Sequence, residues 1–149
     1  WLNHFGKKRS DFKLMRDVKK FLKDNVPEEK QPPWGITHVN HPCTIWTRQS
    51  LQNYSWHLEL MGQLLLQYTK RYKKIHKSSS VYEWLLKNLP LNFPQKMQTP
   101  FPICMKDEYK ISEDVVECYK NYYIKDKVRF AKWEPRAKTP NWYKEMLNA

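Results

Sequence analysis

Glycine is scarce in this sequence, with only 3 among 149 residues. The chain therefore lacks the glycine-rich loop with which nucleotide hydrolases cradle phosphates. It also lacks a GxSxG elbow and an HExxH pair, which argues against serine hydrolases and zincin proteases. Runs of strictly alternating apolar and polar residues are hard to find as well. These absences, together with helical periodicity elsewhere, predict an all-α fold.

Long apolar runs and paired cysteines are missing too. No stretch approaches the roughly 20 apolar residues that span a bilayer, and no signal peptide is visible. Cys43, Cys104 and Cys118 make an odd number without a CxxC pair. We therefore expect a reducing, cytoplasmic compartment, no disulfide framework and no cofactor.

The ends of the chain bear on its organisation. The length of 149 residues suits one domain with a real core, so we predict a compact single domain over residues 1–149. The basic segment 1–9 is expected to be loosely held. Since an initiator methionine is normally removed only before small residues, the start at Trp1 leads us to expect further natural sequence upstream.

The longest pattern runs from His38 to Lys77. We predict one central amphipathic helix, N-capped by Thr44, about 30 residues or roughly 45 Å long. Gly62 is the natural place for a kink. The apolar face of this helix recurs at steps of three and four and consists of Leu51, Tyr54, Leu58, Met61, Leu65, Tyr68 and Tyr72.

Shorter helices are predicted before and after the central one. They cover about 11–25, 81–88 and 112–133, and a final short helix contains Trp142. Between them, the proline-rich segment 91–110 has no helical pattern. This long irregular segment either carries function, as long loops often do, or is fixed over the helices by its apolar side chains.

The formal net charge of +12 favours a polyanionic partner. The first candidate is nucleic acid, in our interpretation DNA, and the second is an anionic membrane. No acidic residue occurs between Glu59 and Glu83. Two runs combine cations with aromatic rings that can stack on bases. The alternative is a solvated lysine face with its rings in the core. The first predicted nucleic-acid-binding set is Lys70, Arg71, Lys73, Lys74, His76 and Lys77. The second is Lys127, Arg129, Lys132 and Trp133, in a run that also holds Lys120, Lys125, Arg136 and Lys138.

Three residues near the start of the central pattern are candidates for catalysis. His38 and His41 could transfer protons from a loop that enters a helix, or they could hydrogen-bond nearby backbone. Arg48 could grip a phosphate with two parallel hydrogen bonds, or pair with an acid from another segment. His38, His41 and Cys43 have no spacing that would complete a zinc site, so we predict no metal.

A combination of short motifs extends over most of the chain from Trp34 to Tyr143. The motifs are Asn40-His41-Pro42-Cys43 with Trp46, Arg48 and Ser50; Tyr68, Arg71-Tyr72 and His76-Lys77; Thr99-Pro100-Phe101-Pro102 with Met105 and Asp107-Glu108-Tyr109; Tyr119, Tyr122-Tyr123, Lys127, Phe130-Ala131 and Trp133; and Pro140 with Trp142. Each motif alone is weak, but the combined pattern is specific. It resembles a family of small tailed-phage proteins.

Some members of that family are described as similar to pyrimidine-dimer DNA glycosylases, which are compact all-helical enzymes. The resemblance implies base excision by an N-terminal α-amine that attacks the sugar C1′, helped by a glutamate. Family members carry a helix before the point that matches Trp1, so the catalytic amine and glutamate have no matching position here. The resemblance also implies that the protein is located in the host cytoplasm or in a virion. The alternative function is a non-catalytic basic protein of a viral or nucleoprotein assembly.

Overall fold

The computed structural model describes residues 2–35, 37–133 and 137–148. Within these ranges the chain forms α-helices, short 3-10 turns and no β-strand, which confirms the predicted all-α class. The six helices found there are α1 (Met15–Asn25), α2 (Pro42–Thr47), α3 (Leu51–Tyr72), α4 (Ser79–Lys87), α5 (Val115–Tyr122) and α6 (Asn141–Leu147).

The chain packs as two units, Trp1–Thr99 and Pro100–Ala149, each with its own internal contacts. The first contains α1 to α4 and the second contains α5 and α6. Our prediction of a single domain stays a prediction. In the first unit Leu2, Val18, Leu22, Trp46, Tyr54 and Val81 are buried, and in the second Cys118 and Tyr143 are buried.

The predicted 30-residue helix is two helices. The chain leaves helical geometry at residues 48–50, between α2 and α3. The prediction of Thr44 as the N-cap was wrong, because α2 already begins at Pro42 and its N-cap is His41. A second cap follows at Ser50, whose hydroxyl accepts the backbone N–H of Asn53 and starts α3.

The first turn of α3 is tied to a segment far away in sequence. The backbone N–H groups of Leu51 and Gln52 donate to the carbonyls of Gln95 and Lys96, at 3.2 Å each. These are two of the donors that a helix start leaves without an intrahelical partner. Since segment 95–96 and the Ser50 hydroxyl satisfy them, the start of α3 has no open amides for an external anion.

Gly62 lies inside α3 without breaking it. A Cβ at this position would come within 2.7 Å of the Tyr82 hydroxyl on α4. The missing side chain therefore allows α3 and α4 to approach closely as an antiparallel pair. Tyr54 strengthens this pair by donating its hydroxyl hydrogen to the Leu85 carbonyl at 3.3 Å.

Two other predicted helices begin or end elsewhere. α1 begins at Met15 rather than near residue 11, and the Asp17 carboxylate accepts the Leu14 N–H just before it. In the second unit the helix predicted over 112–133 begins at Val115, where the Asp114 carboxylate caps it. Its α-helical part ends at Tyr122 and continues as one π-helical turn, Tyr123–Lys127.

Candidate nucleic-acid interface

The first predicted cationic cluster covers the last turn of α3 and the connection from α3 to α4. We call residues 70–77 the basic turn. Helix α3 ends at Tyr72, and Lys73 follows in the left-handed conformation at a φ of 55°. Its N–H donates to the Thr69 carbonyl at 2.8 Å, which closes the helix. This geometry is the usual way to end a helix, although glycine is the residue that normally adopts it.

The second half of the basic turn is held by His76. Its ring meets the edge of Tyr68 with centroids 4.7 Å apart, and Tyr68 also contacts Tyr72 at 4.8 Å. The His76 Nδ1 accepts the N–H of Ser78 at 3.1 Å. The basic turn is therefore supported at both ends, and its conformation does not depend on a ligand.

Four lysines of the basic turn, Lys70, Lys73, Lys74 and Lys77, are exposed to solvent. Among the described residues no carboxylate lies within ion-pair distance of them, since the ion pairs found there involve other cations. Their charges are thus uncompensated. Like charges held close together repel, and a bound polyanion would relieve that repulsion.

Arg71 differs from the lysines because it is half-buried. Its Nε is shielded from solvent and has no hydrogen-bond partner within the part of the chain that the structure describes. A buried guanidinium nitrogen without an acceptor is costly. Rotation of this side chain onto a phosphate oxygen would supply the acceptor.

A simpler role exists for part of this charge. Lys70 and Arg71 lie in the last turn of α3, where cations interact favourably with the helix dipole, by about 0.3–1 kcal/mol each. Lys74 and Lys77 lie beyond the helix, so the dipole does not account for the whole cluster.

The second predicted cationic set lies in the other unit, and its members have different environments. Lys127 contacts the Asp126 carboxylate at 2.7 Å and lies over the ring of Tyr122 at 4.5 Å. The hydrogen bond that Lys127 donates to the Asp126 carboxylate comes first among the causes that raise the pKa of Lys127. Trp133 packs on Tyr143 at 4.5 Å. These two side chains already have intramolecular roles.

Arg129 and Lys132 are the exposed members of that set, and the Arg129 guanidinium lies 5.2 Å from the Phe130 ring. Arg136, which belongs to the same run, lies outside the described residues. The two cationic sets belong to different units of the chain. The basic turn presents the denser exposed charge.

The three catalytic candidates have structural hydrogen bonds. His41 accepts the Cys43 N–H at its Nδ1, at 3.2 Å, and so caps α2. The His38 Nδ1 lies 2.8 Å from the Thr37 hydroxyl. The Arg48 Nη1 donates to the Val39 carbonyl at 2.7 Å and holds the loop before α2. Neither expected partner of Arg48, a carboxylate or a ligand, is needed to explain its position.

These candidates and the basic turn lie at opposite ends of α3. A helix of 22 residues is about 33 Å long. One active site cannot include both ends, although a duplex spans that distance in about ten base pairs.

A polar cluster that no sequence pattern indicated lies beneath the start of α3. Asn53 is fully buried, and its side chain bonds the Trp46 carbonyl and both the N–H and the hydroxyl of Thr99. Nearby, the His57 Nδ1 shares a short hydrogen bond with Thr47. Ser50, three residues before Asn53, is the one local signal that could have indicated a helix start here.

In the part of the chain that the structure describes, no helix has both the length and the apolar character required to cross a bilayer.

Comparison of the chain with models of protein families, with curated proteins and with solved structures gave no match. The similarity to phage glycosylases therefore stays an expectation from the motifs.

Proposed function

We propose that this protein binds nucleic acid, in the first place duplex DNA, and that the basic turn makes the principal phosphate contacts. One observation carries the proposal: four exposed lysines on a braced turn have no carboxylate beside them among the described residues. Lysine ammonium groups neutralise the phosphates of a nucleic-acid backbone and so release its bound counterions. The net charge of +12 acts in the same direction.

Two features add to this proposal. Lys73 occupies the left-handed position that ends α3, where glycine would be free of strain, so the chain carries a charge there at a conformational cost. Tyr72, 45% exposed next to these lysines, offers a ring face that is suited to unpaired bases. Contacts of this kind position a protein on DNA and carry no base-sequence information themselves.

The test is a variant in which Lys70, Lys73, Lys74 and Lys77 are all replaced by glutamine. Each lost phosphate contact reduces the slope of log K against log salt by about 0.9 on duplex DNA. We expect the slope to fall by up to about 3.6 for four contacts. Fluorescence anisotropy with a labelled 20-base-pair duplex at several salt concentrations gives both affinity and slope.

The matched control replaces Lys19, Lys20, Lys23 and Lys30, which are exposed on and after α1, by glutamine. Both variants lower the formal net charge from +12 by four, to +8. If the two lose affinity equally, binding reflects only overall charge and the basic turn is not the site. A protein that binds vesicles containing phosphatidylserine but no DNA would instead support the membrane alternative.

Base excision is a finer proposal and rests on the resemblance alone. An amine that attacks the sugar C1′ forms a Schiff base, which borohydride reduces to a stable covalent adduct. We therefore propose incubation of the protein, expressed with its natural N-terminus, with a duplex containing a pyrimidine dimer or an abasic site, with borohydride present. A shifted protein–DNA band on a denaturing gel supports a glycosylase or AP lyase. DNA binding without any adduct supports the non-catalytic role in a nucleoprotein assembly.

A further inference from the structure

The tip of the basic turn carries an apolar side chain where charge would be expected. Ile75 is 80% exposed, the highest value among the large apolar residues of the described chain. It follows Lys73 and Lys74 and precedes His76 and Lys77. An isoleucine side chain stabilises a fold when it is buried, and Ile75 is hardly buried in its own unit. Packing within that unit therefore does not explain why an isoleucine occupies this position.

The backbone on either side of Ile75 is fixed. Lys73 closes α3 through its bond to Thr69, and His76 is held by Tyr68 and by the Ser78 N–H. The Ser79 N–H also donates to the His76 carbonyl at 2.9 Å. Ile75 is therefore presented on a short, supported tip, and a β-branched side chain has few rotamers to lose on binding.

We infer that Ile75 is a wedge that enters between base pairs of duplex DNA while the lysines around it hold the flanking phosphates. Proteins that bend DNA use single apolar side chains in this way, because the inserted group replaces base stacking with apolar contact. The inference rests on the proposed function and adds to it a mode of binding: local unstacking and a bend at the contact point.

A membrane is the less suitable partner for the same feature. Burial in lipid scales with apolar area, and even a single myristoyl chain gives only marginal membrane attachment. One isoleucine is much smaller than that chain. Between base pairs, by contrast, one side chain is enough to open a step.

The test compares Ile75→Ala with Leu91→Ala in the full-length protein. Leu91 is 77% exposed in the same unit and serves as the matched control. Duplexes carrying 2-aminopurine report unstacking as a rise in fluorescence, and end-labelled duplexes report bending by energy transfer. We expect wild type and Leu91→Ala to give both signals.

Ile75→Ala should retain the salt slope of wild type, since every cation remains. It should bind about tenfold more weakly, a loss within the range expected for burial of one apolar side chain, and give neither unstacking nor bending. Its melting temperature should equal that of wild type, because little of Ile75 is buried in the free protein.

Unstacking and bending by Ile75→Ala at the wild-type level would overturn the wedge and leave DNA binding by the basic turn intact. Absence of any salt-dependent DNA binding by wild type would overturn the proposed function itself. If the substitution abolishes binding to phosphatidylserine vesicles and leaves the DNA signals unchanged, Ile75 is a membrane contact and the wedge is also overturned.

Discussion

Asn53 satisfies every hydrogen-bonding group of its side chain inside the first unit. Its Nδ2 donates to the Trp46 carbonyl and to the Thr99 hydroxyl, at 2.7 Å each, and its Oδ1 accepts the Thr99 N–H at 3.0 Å. Removal of such a group leaves buried partners without a bond.

We predict that Asn53→Ala lowers the free energy of unfolding by about 3 kcal/mol, measured by urea denaturation. The control is Gln52→Ala at an exposed position, which removes two hydrogen bonds: the Gln98 N–H donates to the Gln52 Oε1, and the Gln52 Nε2 donates weakly to the Met97 sulfur. That change should cost about 1 kcal/mol or less. Equal losses in the two variants would mean that the buried cluster has no special weight.

His57 gives the second prediction at this scale. The Thr47 hydroxyl donates its hydrogen to the Cys43 carbonyl at 2.7 Å. The Thr47 hydroxyl can therefore only accept a hydrogen bond from His57, so the proton of the neutral imidazole lies on Nδ1. A second proton, taken up in acid, would bind at Nε2. Burial lowers the pKa of His57, because a charged ring is poorly solvated there.

The sign follows from proton uptake. As pH falls below about 6.5, the usual histidine pKa, the unfolded chain binds a proton that folded His57 resists, so acid favours unfolding. We predict that His57→Gln loses less stability than wild type between pH 7.5 and pH 5.5 in thermal melts. An unchanged pH dependence in His57→Gln would contradict this.

At the scale of the element, Lys73 at the end of α3 affects both the stability of the fold and the binding of DNA, in opposite directions. Lys73 adopts a φ of 55°, which costs a residue with a Cβ about 1 kcal/mol. Glycine there would remove the strain and the charge together. The two effects can be separated by substitution.

We predict that Lys73→Gly raises the free energy of unfolding by about 1 kcal/mol and reduces the salt slope of DNA binding by about 0.9. Lys73→Gln keeps the strain and should show only the binding loss. Denaturant melts and anisotropy measure the two quantities. A stabilised Lys73→Gly variant with wild-type binding would exclude Lys73 from the interface.

At the scale of the whole molecule, net charge and local contacts should affect different rate constants. A net charge of +12 steers a polyanion from a distance and raises the association rate at low salt. Contacts made after docking mainly control dissociation. The two quadruple glutamine variants have equal net charge and so separate these effects.

We predict that both variants associate with DNA more slowly than wild type at 20 mM salt and by similar factors. Only the basic-turn variant should also dissociate faster, by roughly tenfold or more if several phosphate contacts are lost. Stopped-flow mixing for association and competitor chase for dissociation measure the rates. If only the control variant, with glutamine at positions 19, 20, 23 and 30, dissociated faster, the interface would lie at α1 and not at the basic turn.

The sequence by itself determined the helical class and the concentration of cations in segment 70–77. Scarce glycine and apolar steps of three and four favour helices, which form by local hydrogen bonding. The absence of acids between Glu59 and Glu83 is a local property too. Such features can be read from neighbours in the chain, because the interactions behind them span few residues.

The tertiary structure alone decided where the central pattern breaks and which cations are free. The break at 48–50 depends on Ser50 and on amides that reach Gln95 and Lys96, more than 40 residues away. In the sequence, Lys127 and Trp133 cannot be distinguished from the exposed residues of the same run. In the structure Lys127 pairs with Asp126, and Trp133 packs on Tyr143. Periodicity carries no information on such pairings, since packing between elements, and not the local repeat, selects them.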